Sequence, residues 1–418
     1  MLAALAAAAG VAFATWLVIV HPGSTRTTTT TGGNPSGQPG PYPAFGYNDR
    51  WSAPAFSSDP NPAHSPIQLA KNEGVTVVRY GVNWDEVGGQ AGDAAVPCDQ
   101  QAGWSALDTT YQELTGVSAC ASPPSGYVPP IRPVLYLRGA PAPYARWWDA
   151  RAKSCTSTVN PSTPDHLITP VVADTAQANA AWRGFVKNVA NRYPLAKGIE
   201  VWNEPNLRKY WGNCPPDPNR YAQLLDLAHE AIVSSSHPNV PIVLAGMSPV
   251  GSHTRANWLT YLRQVFDARG LPAPVPALFD VMGLHPYRSA QDKASHPDRT
   301  FAQVAGEDVD LARAFLAAHG AASKPVWVTE VGVTTGGSPN HHVVNADQQA
   351  IALRAIYETF RKLGVPVVLI HRFADVSPNA LSGEAPGYGV VRRPPGFGLK
   401  PAYQCLAQAR GRLGSCPR

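Results

Sequence analysis

Two glutamates, far apart in the chain, each end an apolar run. Glu204 lies in GIEVWNEPNL, from Gly198 to Leu207, and Glu330 in KPVWVTEVGVTT, from Lys324 to Thr335. Pro205 makes the chain turn straight after the first of them. A lone carboxylate at the mouth of a core strand is costly to desolvate unless it has partners. Two carboxyl groups about 5–5.5 Å apart across one sugar are what retaining glycoside hydrolysis requires. One attacks the anomeric carbon; the other protonates the leaving oxygen and then takes a proton from water. Negative charge on the attacking group favours the protonated form of its neighbour, as the first step needs.

For this to work, both residues must reach one cleft, and the pattern of elements allows it. Short β-branched runs alternate with segments of helical period. The strand candidates are Ala44–Tyr47, Val75–Tyr80, Arg132–Leu137, Gly198–Trp202, Ile242–Ala245, Val281–Leu284, Val326–Thr329 and Val367–Ile370. Ser65-Pro66 opens a helix that Gly74 ends, and Asn345 with Gln348 forms a capping-box pattern before a helix stopped by Gly364. Expected helix faces are Trp182, Phe185, Val186 and Val189; Tyr221, Leu224, Leu225, Ala228 and Ile232; and Ile351, Ala355, Ile356 and Tyr357. Eight strand–helix units in order predict an α/β fold, a single (β/α)8 TIM barrel. A doubly wound open sheet is the competing topology, but no GxGxxG or GxxxxGK[ST] follows any of these strands. In a barrel the chemistry collects where strands end. That places Asn48, Asp49, Asn83, Trp84, Asp85, Asn203, Glu204, His285, Tyr287, Glu330, His371, Arg372 and Asp375 at one face.

At these residues the chain resembles the retaining glycosidases of clan A. The run Trp202-Asn203-Glu204-Pro205 is similar to the clan's acid/base motif after strand four, and WNEPNLRKYW looks most like family 39 and its relatives. The resemblance implies that Glu204 is the acid/base, Glu330 the nucleophile and Asn203 a ligand of the sugar 2-hydroxyl. It also implies that Arg79, in VVRYGVNW, supports the nucleophile, and that His285 and Tyr287, in GLHPY, line the adjoining subsite. Where the clan carries a tryptophan after strand eight, this chain reads LIHRFAD, so either Phe373 is the replacement floor under the sugar or the sugar is held differently.

Plainer uses compete for several of these positions. Glu204 could be only a turn residue and Glu330 a structural ion pair with Arg79. His285 and Tyr287 could be satisfied strand-end residues. Trp147, Trp148 and Trp211 suit sugar platforms or loop packing equally, Trp327 suits the barrel–helix core, Arg372 suits a salt bridge to Asp375, and His341-His342 a solvated loop. Strict strand alternation puts Glu200, Trp202 and Glu204 on one face. Either Glu200 has a partner such as Arg79, or a bulge shifts the register.

Composition sets the remaining bounds. The 418 residues are 44% hydrophobic and 15% charged, with 36 Gly and 42 Pro, enough apolar material for a large core. A net charge of +5 without a basic block gives no nucleic-acid surface. Leu2 to Val20 is uncharged and just long enough to span a bilayer, so residues 1–20 read as an uncleaved anchor, or as a signal segment cut after Ala12-Phe13-Ala14. Residues 21–41 form a Thr/Gly/Pro-rich tether, 42–411 the catalytic barrel and 412–418 a tail. The chain is then expected outside the cell, secreted or on the outer face of the membrane, touching it only through the N-terminal segment. Six cysteines without a CxxC pair favour disulfides over a metal site; of 15 pairings, the expected set is Cys98–Cys120, Cys155–Cys214 and Cys405–Cys416. The expectation is a monomeric hydrolase of O-glycosidic bonds in a poly- or oligosaccharide, needing no cofactor or metal. The alternatives are an inactive polysaccharide-binding barrel and a transglycosylase with the same covalent intermediate.

Overall fold

The chain's β-branched runs pair side by side in parallel. In the computed structural model the described residues are 42–49, 51, 65–87, 103–149, 152–156, 169–249, 256–337, 342–376, 385–393, 398–412 and 415–417. The N-terminal segment and tether, Cys98 and His341 fall outside them. Eight strands, β1 (Ala44–Asn48), β2 (Val77–Asn83), β3 (Arg132–Arg138), β4 (Gly198–Val201), β5 (Ile242–Met247), β6 (Val281–Leu284), β7 (Val326–Val331) and β8 (Val367–His371), close into one barrel. Each strand pairs with its neighbours in sequence, and β8 pairs with β1, as in a (β/α)8 barrel.

Helices return the chain between strands: α1 (Pro66–Glu73), α2 (Ser105–Thr115), α3 (Ala176–Arg192), α4 (Pro218–Val233), α5 (Ala256–Phe266), α6 (Phe301–Ala318) and α7 (Ala346–Lys362), with α8 (Pro401–Ala409) after β8. Their ends follow local chemistry. Pro66 supplies a preset φ at the first position of α1, and Gly74 closes it in the left-handed region at φ 76°. The Asn345 and Gln348 side chains each bond the other's backbone N–H at the start of α7. The expected faces of α3 and α4 are buried. On α7 the inward residues are Ala350, Leu353, Ile356, Tyr357 and Phe360, whereas Ile351 is exposed.

Small and branched residues fill the barrel's interior. Val77, Val134, Val243, Val281, Val367 and Leu369 form an inner cluster with Trp327. Trp327 therefore sits inside the barrel rather than between barrel and helices. Gly198 makes the room for it, since a Cβ there would lie 3.3 Å from the indole. Between β3 and α3 the chain adds an antiparallel sheet of Ala145–Asp149, Ser154–Thr156 and Val171–Val172. The Cys155–Cys214 disulfide ties this sheet to the loop after β4, and Cys405–Cys416 ties α8 to the residues that follow it. Cys120 is disulfide-bonded as well. Among the described residues no helix is long and apolar enough to cross a membrane.

Candidate active site

Arg79 leaves β2 into the barrel mouth with its side chain fully buried. A guanidinium in that position needs acceptors on every edge. Nε donates to Glu200 Oε2 at 2.6 Å, Nη1 to Glu330 Oε2 at 3.0 Å and to Asn48 Oδ1 at 3.1 Å, and Nη2 to Asn203 Oδ1 at 2.7 Å. These bonds orient two amides. Arg79 can only donate, so the oxygen of Asn48 and that of Asn203 must face it. The NH2 end of Asn203 is then left to meet a ligand. The Asn48 NH2 group donates to Glu330 Oε2 at 2.6 Å and lies 3.2 Å from His371 Nδ1, which accepts while that imidazole is neutral.

Glu330 receives a third donor at its other oxygen, the Tyr287 hydroxyl at 2.6 Å from Oε1. Burial alone would push its pKa up, but the positive charge available at His285, His371 and Arg79 and the Tyr287 hydrogen bond outweigh it, and the pKa falls to about 2. Arg79 is charged at every working pH, so its share of the lowering does not depend on the state of the imidazoles. Tyr287 is pushed well above the usual phenol value by burial and by Glu330, so it stays a donor. Glu330 thus has the features of a carboxylate held ionised.

Glu204 faces it. One oxygen of Glu204, one of Glu330 and a ring nitrogen of His285 lie within 4.8 Å of one another. Among the described residues this is also the grouping able to offer three donor atoms to a metal ion. His285 Nδ1 is 3.1 Å from Glu204 Oε1, and the ring can donate to an ionised carboxylate or accept from a protonated one. The ring lies flat against β5, where a Cβ on Gly246 would come within 2.2 Å of it.

Backbone irregularity aims both carboxylates. β4 ends at Val201, and Trp202 and Glu204 take left-handed φ values of 81° and 42°, sparsely populated for non-glycine residues. Trp202 is thereby turned to pack on Trp182 and Trp211, while Glu204 points to the mouth. Glu200 does point inward and does pair with Arg79; it also accepts from the Gly246 N–H at 2.8 Å and the Thr329 hydroxyl at 3.2 Å. In β7 the register to β8 shifts between Val328 and Val331. Consecutive residues Thr329 and Glu330 can therefore both serve the barrel's centre.

The expected residues Glu204, Glu330, Asn203, Arg79, His285 and Tyr287 all meet here. Phe373 does not: it is fully buried against Trp51 and Tyr47, and the Tyr47 hydroxyl reaches outward to Glu73 of α1. His371 takes the place foreseen for it, 3.9 Å from Glu330 Oε1, with Tyr388 5.1 Å from its ring. Arg372 bonds Asp49 instead of Asp375, which pairs with Lys400. Trp211 is sealed in loop packing at 2% exposure, whereas Trp147 and Trp148 stay half-buried. Asn48 and His371, foreseen only at the barrel mouth, join the site as neighbours of Glu330, each being the polar last residue of its strand. Thr329 joins it without having been singled out.

No family model and no curated protein matches the chain. Solved structures do. A family 39 glycoside hydrolase from Bacteroides cellulosilyticus superposes with TM-score 0.53 at 17% identity, over 88% of this chain and 63% of that one. A GH39 β-xylosidase from Caulobacter crescentus gives TM-score 0.51 at 16% identity, over 90% and 74%. The GH5_18 protein of Bifidobacterium longum gives 0.56 at 16% identity, over 90% and 82%. The chain thus spans less than two thirds of the Bacteroides protein. These likenesses establish the (β/α)8 fold.

Proposed function

We propose that the protein is a retaining glycoside hydrolase acting on a poly- or oligosaccharide. The observation that carries this is the approach of Glu204 and Glu330 to within 4.8 Å across one mouth, with Glu330 held ionised by Arg79, Asn48 and Tyr287. So close an approach of one oxygen from each favours the covalent route, since inverting enzymes hold their carboxyl groups about 6.5–9.5 Å apart to admit a water. Glu330 attacks the anomeric carbon as the glycosidic C–O bond breaks, and Glu204 gives its proton to the departing oxygen. Glu204, now a carboxylate, takes a proton from water, whose oxygen displaces Glu330 from the same carbon. A carboxylate with a pKa of about 2 is a good leaving group in that second step. The NH2 of Asn203 and the ring of His371 border the sugar. The activity of the superposed proteins, a β-xylosidase among them, is consistent with this chemistry. A screen of aryl glycosides, with the anomeric configuration of the first-formed product followed by NMR, tests it. An inverted product, or no turnover of any glycoside, would remove the reading. The Cys155–Cys214 and Cys405–Cys416 disulfides support export, and residues 1–20 would then anchor the enzyme outside the cell or direct its secretion.

Two smaller predictions arise from the donors around Glu330. In the wild type the nucleophile stays ionised down to about pH 4 and below, so its protonation should not shape the acid limb of kcat/KM. Tyr287→Phe removes a hydrogen bond that favours the charged form, so the Glu330 pKa should rise from about 2, and the loss of kcat/KM that its protonation causes should enter the measured range at the acid end. A pH–rate profile unchanged by this substitution would contradict the role given to Tyr287. His371→Phe keeps an aromatic ring but takes the acceptor from the Asn48 NH2 group. The loss of one bond to a buried donor should cost about tenfold in kcat/KM. Steady-state kinetics on an aryl glycoside would show it.

A further inference from the structure

A row of cations laid on aromatic faces leads out of the same cleft. Its inner end is Tyr136 of β3, whose ring lies 4.1 Å from the Arg79 guanidinium carbon. Gly81 lets that ring lie against β2, since a Cβ there would be 2.8 Å from it. Arg138, two residues further along β3 and on the same face, lies 5.4 Å from the Tyr136 ring and 5.9 Å from Tyr210. Tyr210 also carries Lys209 at 4.9 Å, and Arg208 rests 5.2 Å from the ring of Trp148. Arg208, Lys209 and Tyr210 belong to the loop that starts at Glu204, and Trp148 to the added sheet that Cys155–Cys214 ties to it. Leu207 N–H bonds the Glu204 carbonyl at 2.9 Å, so the row begins one turn from the acid/base candidate.

The row is open to solvent. Tyr136, Arg138, Tyr210, Lys209 and Trp148 are half-buried and Arg208 is exposed. Acidic groups meet it at its foot. Arg138 donates to Asn83 at 2.9 Å and acts on the Asp85 carboxyl, with Glu86 beside them. Asp149, on the same strand as Trp148, accepts from Ala152 N–H. Arg208 and Lys209 form no ion pair with any described carboxylate. A guanidinium stacked on a ring keeps its N–H edge outward and loses little freedom on meeting an anion. Neighbouring ring edges offer apolar surface to sugar C–H groups.

We propose that this cationic–aromatic row is a subsite that binds carboxylate-bearing sugars, so that the substrate is a uronate-containing glycan. The proposal rests on the glycosidase reading for the direction of the strand, which enters the cleft past Glu204. The planar fork of Arg208 matches a carboxylate with two parallel bonds, and the sulfated probe below separates this from a sulfate held by the same fork. Single exposed ion pairs are weak, so the preference must come from several acting together, and it must fade with salt.

Binding is read by calorimetry on the full chain carrying Glu330→Gln. The probes are oligogalacturonate, oligoglucuronate and alginate oligomers, the carboxyl-reduced form of each, and heparin-derived tetrasaccharides. The expected result is at least about tenfold tighter binding of one uronate series than of its reduced form, lost in Arg208→Ala/Lys209→Ala and weakened by salt. Equal affinity for acidic and reduced oligomers, or an unchanged preference in the double variant, overturns the proposal. So does preference for the sulfated probe alone. Aryl glycoside turnover by the wild type without a uronate preference would defeat the subsite and leave the glycosidase. A uronate preference without turnover of any glycoside would do the reverse.

Discussion

Glu330→Gln should stop turnover while leaving the fold and sugar binding intact. Glutamine is nearly isosteric, and the donors around it can be accommodated. Arg79 and Asn48 both donate to one oxygen, so the amide oxygen will face them. The amide NH2 then faces the Tyr287 hydroxyl, which can rotate to accept. The nucleophile is gone but the cavity is not refilled. Loss of a covalent nucleophile costs about 10⁴-fold or more in kcat, and that is the fall expected here on an aryl glycoside. Circular dichroism and oligosaccharide binding should match the wild type. Turnover at the wild-type rate would mean that another group attacks the sugar. Arg79 would be a poorer place for this test. Removing it would strand Glu200 in the barrel without its cation, and the loss of one partner of a buried pair costs about 3–5 kcal/mol. A loss of activity there would not separate chemistry from folding.

The parts of the molecule written locally were readable from residues alone. Ser65-Pro66, Gly74 and the Asn345/Gln348 box fix helix ends through their own backbone geometry, and all occur where their chemistry places them. The β-branched runs gave the strands, and their order gave the barrel. Glu204 and Glu330 stood out because a carboxylate at the end of an apolar run needs a reason. What depended on distant residues was hidden. Trp327 faces inward beside Gly198, on another strand, where a Cβ would crowd it. Thr329 and Glu330 share a face because the register of β7 against β8 slips, which no periodicity in β7 alone reveals. Phe373 looked like a floor by position, but the chain turns after His371 and buries that ring among Tyr47 and Trp51. The amide of Asn48 owes its role to Arg79, which fixes which end meets Glu330.

Glu204 should reveal itself by the leaving group. In Glu204→Ala the first step loses its proton donor, a contribution worth roughly 10²–10⁴-fold for general acid catalysis. An aryl glycoside with a strongly acidic phenol departs as the anion without help, so its glycosylation step should be nearly spared. Unactivated alkyl or sugar leaving groups should bear the full loss. Hydrolysis of the intermediate would still be slow, because water lacks its base. Azide needs no deprotonation and fits the space vacated by the side chain. It should therefore restore turnover and yield a glycosyl azide of the substrate's own anomeric configuration. His285 keeps its place on Gly246 in this variant but loses its Nδ1 partner, so rescue reports on the missing carboxyl rather than on a collapsed wall. If good and poor leaving groups slow by the same factor and azide does nothing, Glu204 is only a turn residue. The proton would then have to come from elsewhere in the cleft, with His285, 3.1 Å away and the other group able to exchange one there, the next to replace.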